Sequence, residues 1–220
     1  MARIGVISDT HGLLRENVIE HLKKCDVILH AGDIQSRNIL EQLEATAKTY
    51  AVLGNTDKEL TANIPSSLHL ELYGLRIFMI HNQKHIEEDI SNSNLVIYGH
   101  SHKYEMKSHN GQIWLNPGSC GPRRFTLPIT MAVIDIEPDG SYSINHIDLC
   151  TDADSTDSQF PKNIKKIIIS VMHDVDRSMS IADIAQHNQI SEELATQICR
   201  LYLTHPGVTP DGILDKMDNR

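Results

Sequence analysis

The sequence predicts an α/β fold in which two mixed β-sheets pack together and are flanked by helices, a four-layer αββα sandwich, with a small all-α module after it. Three observations predict this. Strand-like runs alternate with helical patterns over residues 1–53, strand-like runs and turn signals dominate over 65–148, and helical periodicity returns after 160. The expected organisation is a main domain over 1–150, an acidic linker over 151–160 and a helical domain over 161–220.

The first third of the chain predicts a parallel sheet. Strands are expected at the apolar runs Arg3–Ser8, Val27–His30 and Thr49–Leu53. Between them, Leu13–Lys24 and Ile34–Lys48 place apolar side chains at helical spacing. A βαβαβ order of this kind is typical of parallel strands joined by crossover helices.

The middle of the chain predicts hairpins and few helices. Six further strands are expected at Leu68–Leu72, Leu75–Ile80, Leu95–Tyr98, Gln112–Leu115, Met131–Ile136 and Tyr142–Ile147. Turns are expected at Tyr73-Gly74 and Asn110-Gly111, and at Glu137-Pro138-Asp139-Gly140. The change from a helix-rich to a strand-rich pattern predicts two packed sheets.

The C-terminal third predicts a helical module. Thr151–Gln159 is polar and acidic, as linkers are. Helices are expected over Asn163–Asp174, Ser180–His187 and Ser191–Thr204, with Ser180 and Ser191 as their N-caps. The last two helices and the tight turn between them resemble a helix-turn-helix.

The charge of the chain disfavours binding to nucleic acid. Twenty Lys and Arg against 29 Asp and Glu give a net charge of −9 over 220 residues, and the second helix of the helix-turn-helix begins with Glu192 and Glu193. A dimerisation or lid role for the module, with a homo-oligomer as one outcome, is the expectation. Four scattered cysteines, the lack of an apolar leader and the lack of an apolar run near 20 residues predict a cytoplasmic protein without disulfides or membrane contact.

Polar clusters follow the predicted strands, where ligands bind in open α/β sheets. They are Asp9-Thr10-His11, Gly32-Asp33, Gly54-Asn55-Thr56-Asp57, His81, and Gly99-His100-Ser101-His102. Mixed carboxylate, amide and imidazole ligands suit Mn²⁺, Fe²⁺, Zn²⁺ or Ni²⁺. Seven ligands are too many for one such ion and suit two ions that share a carboxylate.

The order and the residues of these clusters resemble the motifs of the calcineurin-like metallophosphoesterase superfamily, and within it those of the small bacterial and archaeal phosphodiesterases. The shared pattern is D-x-H, G-D, G-N-x-D, an isolated H and G-H-x-H, and it spans about residues 1–148. The resemblance implies a first metal held by Asp9, His11, Asp33 and His102, and a second held by Asp33, Asn55, His81 and His100. Asp33 would bridge the two, and Asp57 would orient a ligand.

The resemblance also implies an activity. The implied activity is that of a dinuclear-metal phosphodiesterase, which hydrolyses a small phosphodiester by attack of a metal-bridging hydroxide. Asp33, Asn55 and His100 would be the catalytic residues. Mn²⁺ is the expected metal, with Ni²⁺, Fe²⁺ and Zn²⁺ as alternatives. Arg123 and Arg124 are candidates for a bidentate contact with the substrate phosphate, or else solvated surface arginines.

The chain departs from the superfamily pattern at three positions. Thr56 replaces a histidine that many members use as a general acid, so protonation of the leaving group has no assigned residue. Ser36 stands where larger enzymes have an aspartate, and Asn82 follows His81 where glycine is usual. Asparagine tolerates positive φ, so the turn is expected to survive.

Two other functions compete with the enzyme. One is a non-catalytic scaffold of the kind found in a retromer subunit of the superfamily, and the other is a DNA-binding sensor built on the same fold. Scaffolds typically lose metal ligands, whereas all seven positions are retained here. The enzyme is therefore the leading hypothesis.

Overall fold

The chain forms two five-stranded sheets and a separate helical unit. A computed structural model describes residues 1–60, 62, 64–123, 127–150 and 163–218. The strands are β1 (Ala2–Ile7), β2 (Val27–His30), β3 (Lys48–Ala51), β4 (Ser67–Leu72), β5 (Leu75–Ile80), β6 (Leu95–Ile97), β7 (Tyr104–His109), β8 (Gln112–Pro117), β9 (Thr130–Ile136) and β10 (Tyr142–Asp148). The helices are α1 (Glu16–Leu22), α2 (Arg37–Thr46), α3 (Ile164–Asp176), α4 (Ile181–Asn188), α5 (Glu192–Thr204) and α6 (Pro210–Asp218).

Both sheets are mixed. The first, sheet A, has the order β10-β9-β1-β2-β3, with β1, β2 and β3 parallel and β9 and β10 antiparallel to their neighbours. The second, sheet B, has the order β4-β5-β6-β8-β7, with β5, β6 and β8 parallel and a hairpin at each edge. The predicted architecture of two mixed sheets flanked by helices is confirmed.

The hydrophobic core has a layer between the sheets and a layer on each outer face. Ile4 and Leu29 of sheet A meet Ile77 and Leu115 of sheet B in the central layer. Helices α1 and α2 bury apolar side chains on the outer face of sheet A. On the outer face of sheet B, Phe78 packs near the segment after β5. Burial of this apolar surface holds the strand ends, and therefore the site, in place.

Backbone conformation explains where the first two helices begin. The sequence places their starts at Leu13 and Ile34, but the structure begins them at Glu16 and Arg37. Gln35 has φ 65°, which a right-handed helix cannot include. His11 and Gly12, before α1, also have positive φ, 43° and 80°, and the residues directly before the two helices, Arg15 and Ser36, are extended. Each helix therefore begins only after a non-helical segment.

Strand β7 was not predicted, and its burial pattern shows why. Four of its six residues are exposed, so it lacks the apolar run that marks a strand. The Asn110-Gly111 turn that joins it to β8 was predicted, and both residues have positive φ, 52° and 77°. Tyr73-Gly74 joins β4 and β5 in the same way, with φ values of 53° and 82°.

The chain divides into two compact units, Met1–Asp157 and Ser158–Arg220. In the second unit, Ser180 and Ser191 accept N–H bonds from Asp183 and Leu194, so both predicted caps are confirmed. Helix α6 was not predicted, and the predicted linker over 151–160 lies outside the described residues. None of the helices in the described part of the chain has the length and apolar character needed to span a bilayer.

Candidate metal centre

The loops after four strands converge at one edge of the sandwich. Asp9 follows β1, Asp33 follows β2, His81 follows β5 directly, and His100 and His102 follow β6. These loops are tied by backbone bonds, such as the N–H of Asp9 to the carbonyl of Gly32 at 2.9 Å and the N–H of Gly99 to the carbonyl of His81 at 2.9 Å. The sequence pattern therefore becomes a cluster in space.

One group of potential metal ligands is formed by Asp9, His11 and His102. The Nε2 atom of His102 lies 3.1 Å from Oδ1 of Asp9 and 3.3 Å from Nε2 of His11, and Asp9 Oδ1 lies 3.8 Å from His11 Nε2. Ligand atoms at about 2.0–2.2 Å from one ion are separated by roughly 3.0–3.5 Å. The spacing of this group fits the corners of a coordination polyhedron.

A second group is formed by Asp9, Asp33 and His81. The Nδ1 atom of His81 lies 2.7 Å from the carbonyl of Ala31, which can only accept, so the proton of a neutral ring is on Nδ1. The lone pair of Nε2 then faces Oδ2 of Asp33 at 3.3 Å. Two acceptors at this distance repel each other unless a proton or a cation lies between them.

Asp33 lies between the two groups. Its Oδ2 is 3.3 Å from His81 Nε2 and 3.7 Å from His11 Nε2. Its Oδ1 accepts both the N–H and the hydroxyl of Thr56 at 2.9 Å. One carboxylate oxygen is thus anchored and the other is directed into the centre. Asp9 belongs to both groups, so it too is placed between them.

The two remaining predicted ligands are more exposed. The side-chain amide of Asn55 lies 3.1 Å from Nδ1 of His100. The ring of His100 meets the ring of His81 edge-on at 5.3 Å, and its backbone N–H donates to Oδ2 of Asp9 at 3.2 Å. The structure therefore brings Asn55 and His100 to the solvent side of the cluster.

Strained backbone conformations are concentrated in these loops. Positive φ values occur at Asp9 (55°), His11 (43°), Asp33 (58°), His100 (71°) and His102 (57°). Such conformations cost about 1–3 kcal/mol each for residues other than glycine. They persist because the folded sheets hold both ends of each loop, and they turn the side chains toward one point.

The expectation for Asn82 was wrong in its detail. Asn82 has φ −114° and is extended, so the turn after His81 needs neither glycine nor a left-handed residue. Its side chain instead accepts the N–H of Lys84 at 3.0 Å and caps a short 3₁₀ turn.

Two glycines of the motifs are required by close approach rather than by φ. A Cβ on Gly54 would lie 2.2 Å from the Asp33 backbone nitrogen, and a Cβ on Gly99 would lie 2.0 Å from Oγ of Ser8. Neither distance is compatible with a side chain. Glycine at these positions allows the loops that carry the potential ligands to touch.

Asp57 supports the loop of Asp33 through the backbone. Its buried carboxylate accepts the N–H groups of Ile34 and Gln35 at 2.7 Å and that of Gly54 at 2.8 Å. These contacts are with backbone amides, and the orienting role of Asp57 toward a metal ligand stays a prediction. The interaction fixes the turn in which Asp33 has its positive φ.

Other supporting side chains were missed by sequence reasoning. The hydroxyl of Ser8 donates to Oδ2 of Asp9 at 2.6 Å, and the amide of Gln35 lies 3.1 Å from Nδ1 of His11. The only signal of Ser8 and Gln35 in the sequence is adjacency to a motif, which does not tell a supporting residue from a bystander. Asn116, farther along the chain, donates to the carbonyl of Gly99 at 2.7 Å and so holds the last loop.

His30 is a structural residue of the same edge. It is fully buried, its Nδ1 accepts the N–H of Gly32 at 3.2 Å, and its Nε2 lies 3.0 Å from the hydroxyl of Thr10. Burial lowers the pKa of His30 to about 4. The ring is therefore neutral at physiological pH and holds the loop in place.

The electrostatic balance keeps the carboxylates ionised. Burial alone would raise the pKa of Asp9 and of Asp33, but His102 outweighs it for Asp9, and His81 with Thr56 outweighs it for Asp33, so both pKa values lie below the usual range. Burial lowers the pKa of His100, and His81 adds to this effect. Anionic carboxylates and a neutral imidazole are the forms that bind metal.

Of the two arginines predicted to contact substrate, the structure describes Arg123. Arg123 is partly buried, and its charge acts on Asp148 and Cys150 at the end of β10. Arg124 lies outside the described residues. Their role toward substrate stays a prediction.

Two buried acceptor atoms without hydrogen-bond partners in the described part of the chain indicate that these residues can bind a metal ion. Oδ1 of Asp9 and Nε2 of His81 are buried, and neither has a hydrogen-bond partner among the described residues. Buried acceptors without partners cost free energy, about 1–3 kcal/mol or more each. A divalent cation would satisfy both of them.

Comparison with known proteins gives a consistent result. The calcineurin-like phosphoesterase superfamily domain matches residues 2–139. The chain is 32% identical over 144 residues to a probable metallophosphoesterase of Methanothermobacter thermautotrophicus, covering 59% of this chain and 84% of the relative. It is 28% identical over 156 residues to a phosphodiesterase of Methanocaldococcus jannaschii, covering 61% of this chain and 93% of the relative.

Solved structures show the same fold. An archaeal phosphodiesterase superposes with a TM-score of 0.54 at 25% identity, over 66% of this chain and 99% of that one. Vps29 of Entamoeba histolytica in complex with Zn²⁺ superposes with a TM-score of 0.52 at 20% identity, over 66% of this chain and 98% of that one. At the identity of the second structure, the likeness concerns the fold alone.

Proposed function

The chain belongs to the calcineurin-like phosphoesterase superfamily, and on that premise we propose that it is a phosphodiesterase dependent on two divalent metal ions. The observation that carries the proposal is the convergence of buried carboxylate oxygens and imidazole nitrogens in two groups of potential metal ligands. Asp33 Oδ2 and His81 Nε2 at 3.3 Å, with Asp9 Oδ1 and His102 Nε2 at 3.1 Å, have the spacing of ligand atoms around a metal ion.

The proposed ligands follow from the two groups. Asp9, His11 and His102 would hold one ion, and His81 with Asn55 and His100 would hold the other. Asp33 would be shared, because its Oδ2 faces a histidine of each group. Mn²⁺ is the proposed metal. The mixed set of oxygen and nitrogen ligands is also compatible with Ni²⁺, Fe²⁺ and Zn²⁺.

Two divalent ions, when bound, would supply a water of lowered pKa and positive charge for the phosphoryl oxygens. The chain itself contributes orientation. Thr56 and Ser8 hold the outer carboxylate oxygens of Asp33 and Asp9, and Ala31 fixes the tautomer of His81. His100 lies at the solvent side of the cluster, so the metal that it would hold faces the approaching substrate.

The diester is proposed over the monoester because the motifs, including a residue other than histidine at position 56, resemble those of the small bacterial and archaeal phosphodiesterases. The curated relative from Methanocaldococcus jannaschii that is named a phosphodiesterase supports the same choice. The test compares bis(p-nitrophenyl) phosphate with p-nitrophenyl phosphate, both at saturating Mn²⁺. The proposal expects a kcat/KM at least about tenfold higher for the diester, and a preference for the monoester would overturn it.

A further inference from the structure

A groove runs beside the metal centre and has no part in the proposed metal binding. Its volume is about 690 Å³, within the range of small-molecule sites. It lies along α2 and the edge strand β3, and Leu68 of β4 contributes from the neighbouring sheet. The groove therefore lies at the side of the sandwich where the edge strand β3 of sheet A is next to the edge strand β4 of sheet B.

Gln35 connects the groove to the centre. It lines the groove, and its side-chain amide lies 3.1 Å from Nδ1 of His11. Gln35 therefore lies between the groove and a phosphoryl group that would bind at the candidate metal centre. A substituent on that phosphate would extend along α2.

The charged side chains of the groove are mostly acidic. Glu41, Glu44 and Glu59 line it, and the lining contains one arginine, Arg37, which lies 3.4 Å from Glu41. A second phosphate, as in an oligonucleotide, would be repelled from these carboxylates. A positively charged group would be attracted.

Most of the remaining lining is apolar, and it contains an aromatic ring. Leu40, Tyr50 and Leu60 belong to it. The Nζ atom of Lys48, outside the lining, lies 5.4 Å from the centroid of the Tyr50 ring, within the distance of a cation–π contact. Aromatic and apolar walls with nearby carboxylates are the chemistry that recognises organic cations.

We propose that this groove binds the alcohol portion of the substrate and that this portion carries an amine or a quaternary ammonium group. The inference rests on the proposed phosphodiesterase function. It narrows the substrate class to diesters in which a short cationic alcohol is esterified to phosphate.

The test uses two substrates that differ only in charge. They are p-nitrophenyl phosphorylcholine and p-nitrophenyl 3,3-dimethylbutyl phosphate, in which a carbon replaces the quaternary nitrogen. With the Mn²⁺-loaded full chain, we expect kcat/KM to be about five- to tenfold higher for the choline ester, chiefly through KM. Glu44→Gln and Glu59→Gln are each expected to reduce that ratio by about half or more.

Glu20→Gln serves as the matched control. Glu20 is an exposed glutamate on α1 outside the groove lining, so its substitution is expected to leave the ratio unchanged. A ratio near one in the wild type, or a ratio that both groove variants leave unchanged, overturns the groove proposal. Hydrolysis of the 3,3-dimethylbutyl ester in that case keeps the phosphodiesterase proposal intact.

A binding measurement separates the two proposals if neither ester is hydrolysed. That result would overturn the proposed function, and the groove would then be tested with tetramethylammonium by amide chemical shifts. Shifts at Glu44, Tyr50 and Leu60 that disappear in the Glu44→Gln, Glu59→Gln double variant would support cation binding. A titration without shifts at these residues would overturn it.

Discussion

Individual residues at the metal centre are divided between those that face the centre and those that hold them. Asp33 shows both aspects, because one oxygen is directed toward His81 while the other accepts two bonds from Thr56. The residues that face the centre can be identified from their sequence motifs. The residues that hold them in place can be identified only from the folded structure.

Thr56→Val tests the holding role directly. The variant keeps the backbone N–H bond to Asp33 but removes the hydroxyl bond. Loss of such an orienting bond typically lowers metal affinity or activity by about 10–100-fold. We expect a reduction near the lower end, measured as kcat/KM for the diester and as the Mn²⁺ dissociation constant.

Thr56→Ser is the control for this prediction, since it retains a hydroxyl at the same position. It should remain within about threefold of the wild type. A Thr56→Val variant as active as the wild type, or a loss in Thr56→Ser as large as that in Thr56→Val, would contradict the role assigned to the hydroxyl.

His30 gives a prediction about pH and stability. Its pKa is lowered by burial from 6.5 to about 4, so the unfolded chain binds a proton at this residue between those values and the folded chain does not. The free energy of unfolding therefore falls as the pH decreases through this window, by about 3 kcal/mol in total for this residue. The contribution is fully present above pH 6.5.

Urea unfolding of the metal-free protein at several pH values checks this, with His30→Gln as the comparison. The wild type is expected to lose its stability advantage over the variant between pH 6.5 and 4. A difference in stability that stays constant over that range would show that His30 does not titrate as described.

The sequence was a good guide to the site at the residue scale because ligand chemistry restricts residue types strongly. Aspartate, histidine and asparagine after successive strands already indicated a metal centre. Ser8 and Gln35 could not be assigned, because hydroxyl and amide side chains are common in loops. Their partners, Asp9 and His11, become evident only when the loops are folded.

At the scale of elements, the strand ends determine the site because they place strained loops next to one another. Gly99 is the clearest case, since a Cβ there would lie 2.0 Å from Oγ of Ser8 and 2.8 Å from Oδ2 of Asp9. Gly99→Ala is expected to displace Asp9 and to lower diester hydrolysis by at least about 100-fold. The measurement is kcat/KM, with circular dichroism to verify the fold.

Gly111→Ala is the matched control. Gly111 lies in a hairpin turn with φ 77°, and a Cβ there would meet nothing within 4 Å. This variant should lose about 1–2 kcal/mol of stability from the left-handed backbone while keeping its activity. If the two variants have similar activities, close packing at Gly99 is not required for the site.

The elements that the sequence did not predict share a physical reason. Strand β7 is largely exposed, so no apolar pattern marks it, and it is held by its hairpin partner β8. The starts of α1 and α2 were misplaced because left-handed residues such as Gln35 have no compositional signal. Apolar periodicity predicts which residues are buried. It does not predict a backbone conformation that is imposed by neighbouring loops.

At the scale of the whole molecule, the chain combines a candidate metal centre with a negative net charge. The net charge is −9, and the first turn of α5 contains the exposed residues Glu192 and Glu193. Phosphate backbones of DNA would be repelled from this helix. The helical unit is therefore expected not to bind DNA in the manner of a helix-turn-helix protein.

An electrophoretic shift assay with a short duplex at about 50 mM salt checks this expectation. No shift is expected at micromolar concentrations of the full chain, since non-specific binding depends on cationic contacts. A shift that weakens as salt is raised would contradict it and would favour the DNA-binding sensor.

The central claim is that two divalent ions, bridged by Asp33, make this chain a phosphodiesterase. The most direct measurement is a titration of the metal-free protein with Mn²⁺, following bound metal and hydrolysis of bis(p-nitrophenyl) phosphate in the same samples. The account predicts that activity rises with occupancy and saturates near two equivalents, and that Asp33→Asn loses most of both. A correctly folded protein that remains inactive with Mn²⁺, Ni²⁺, Fe²⁺ and Zn²⁺, or an Asp33→Asn variant with two bound ions and full turnover, would contradict it.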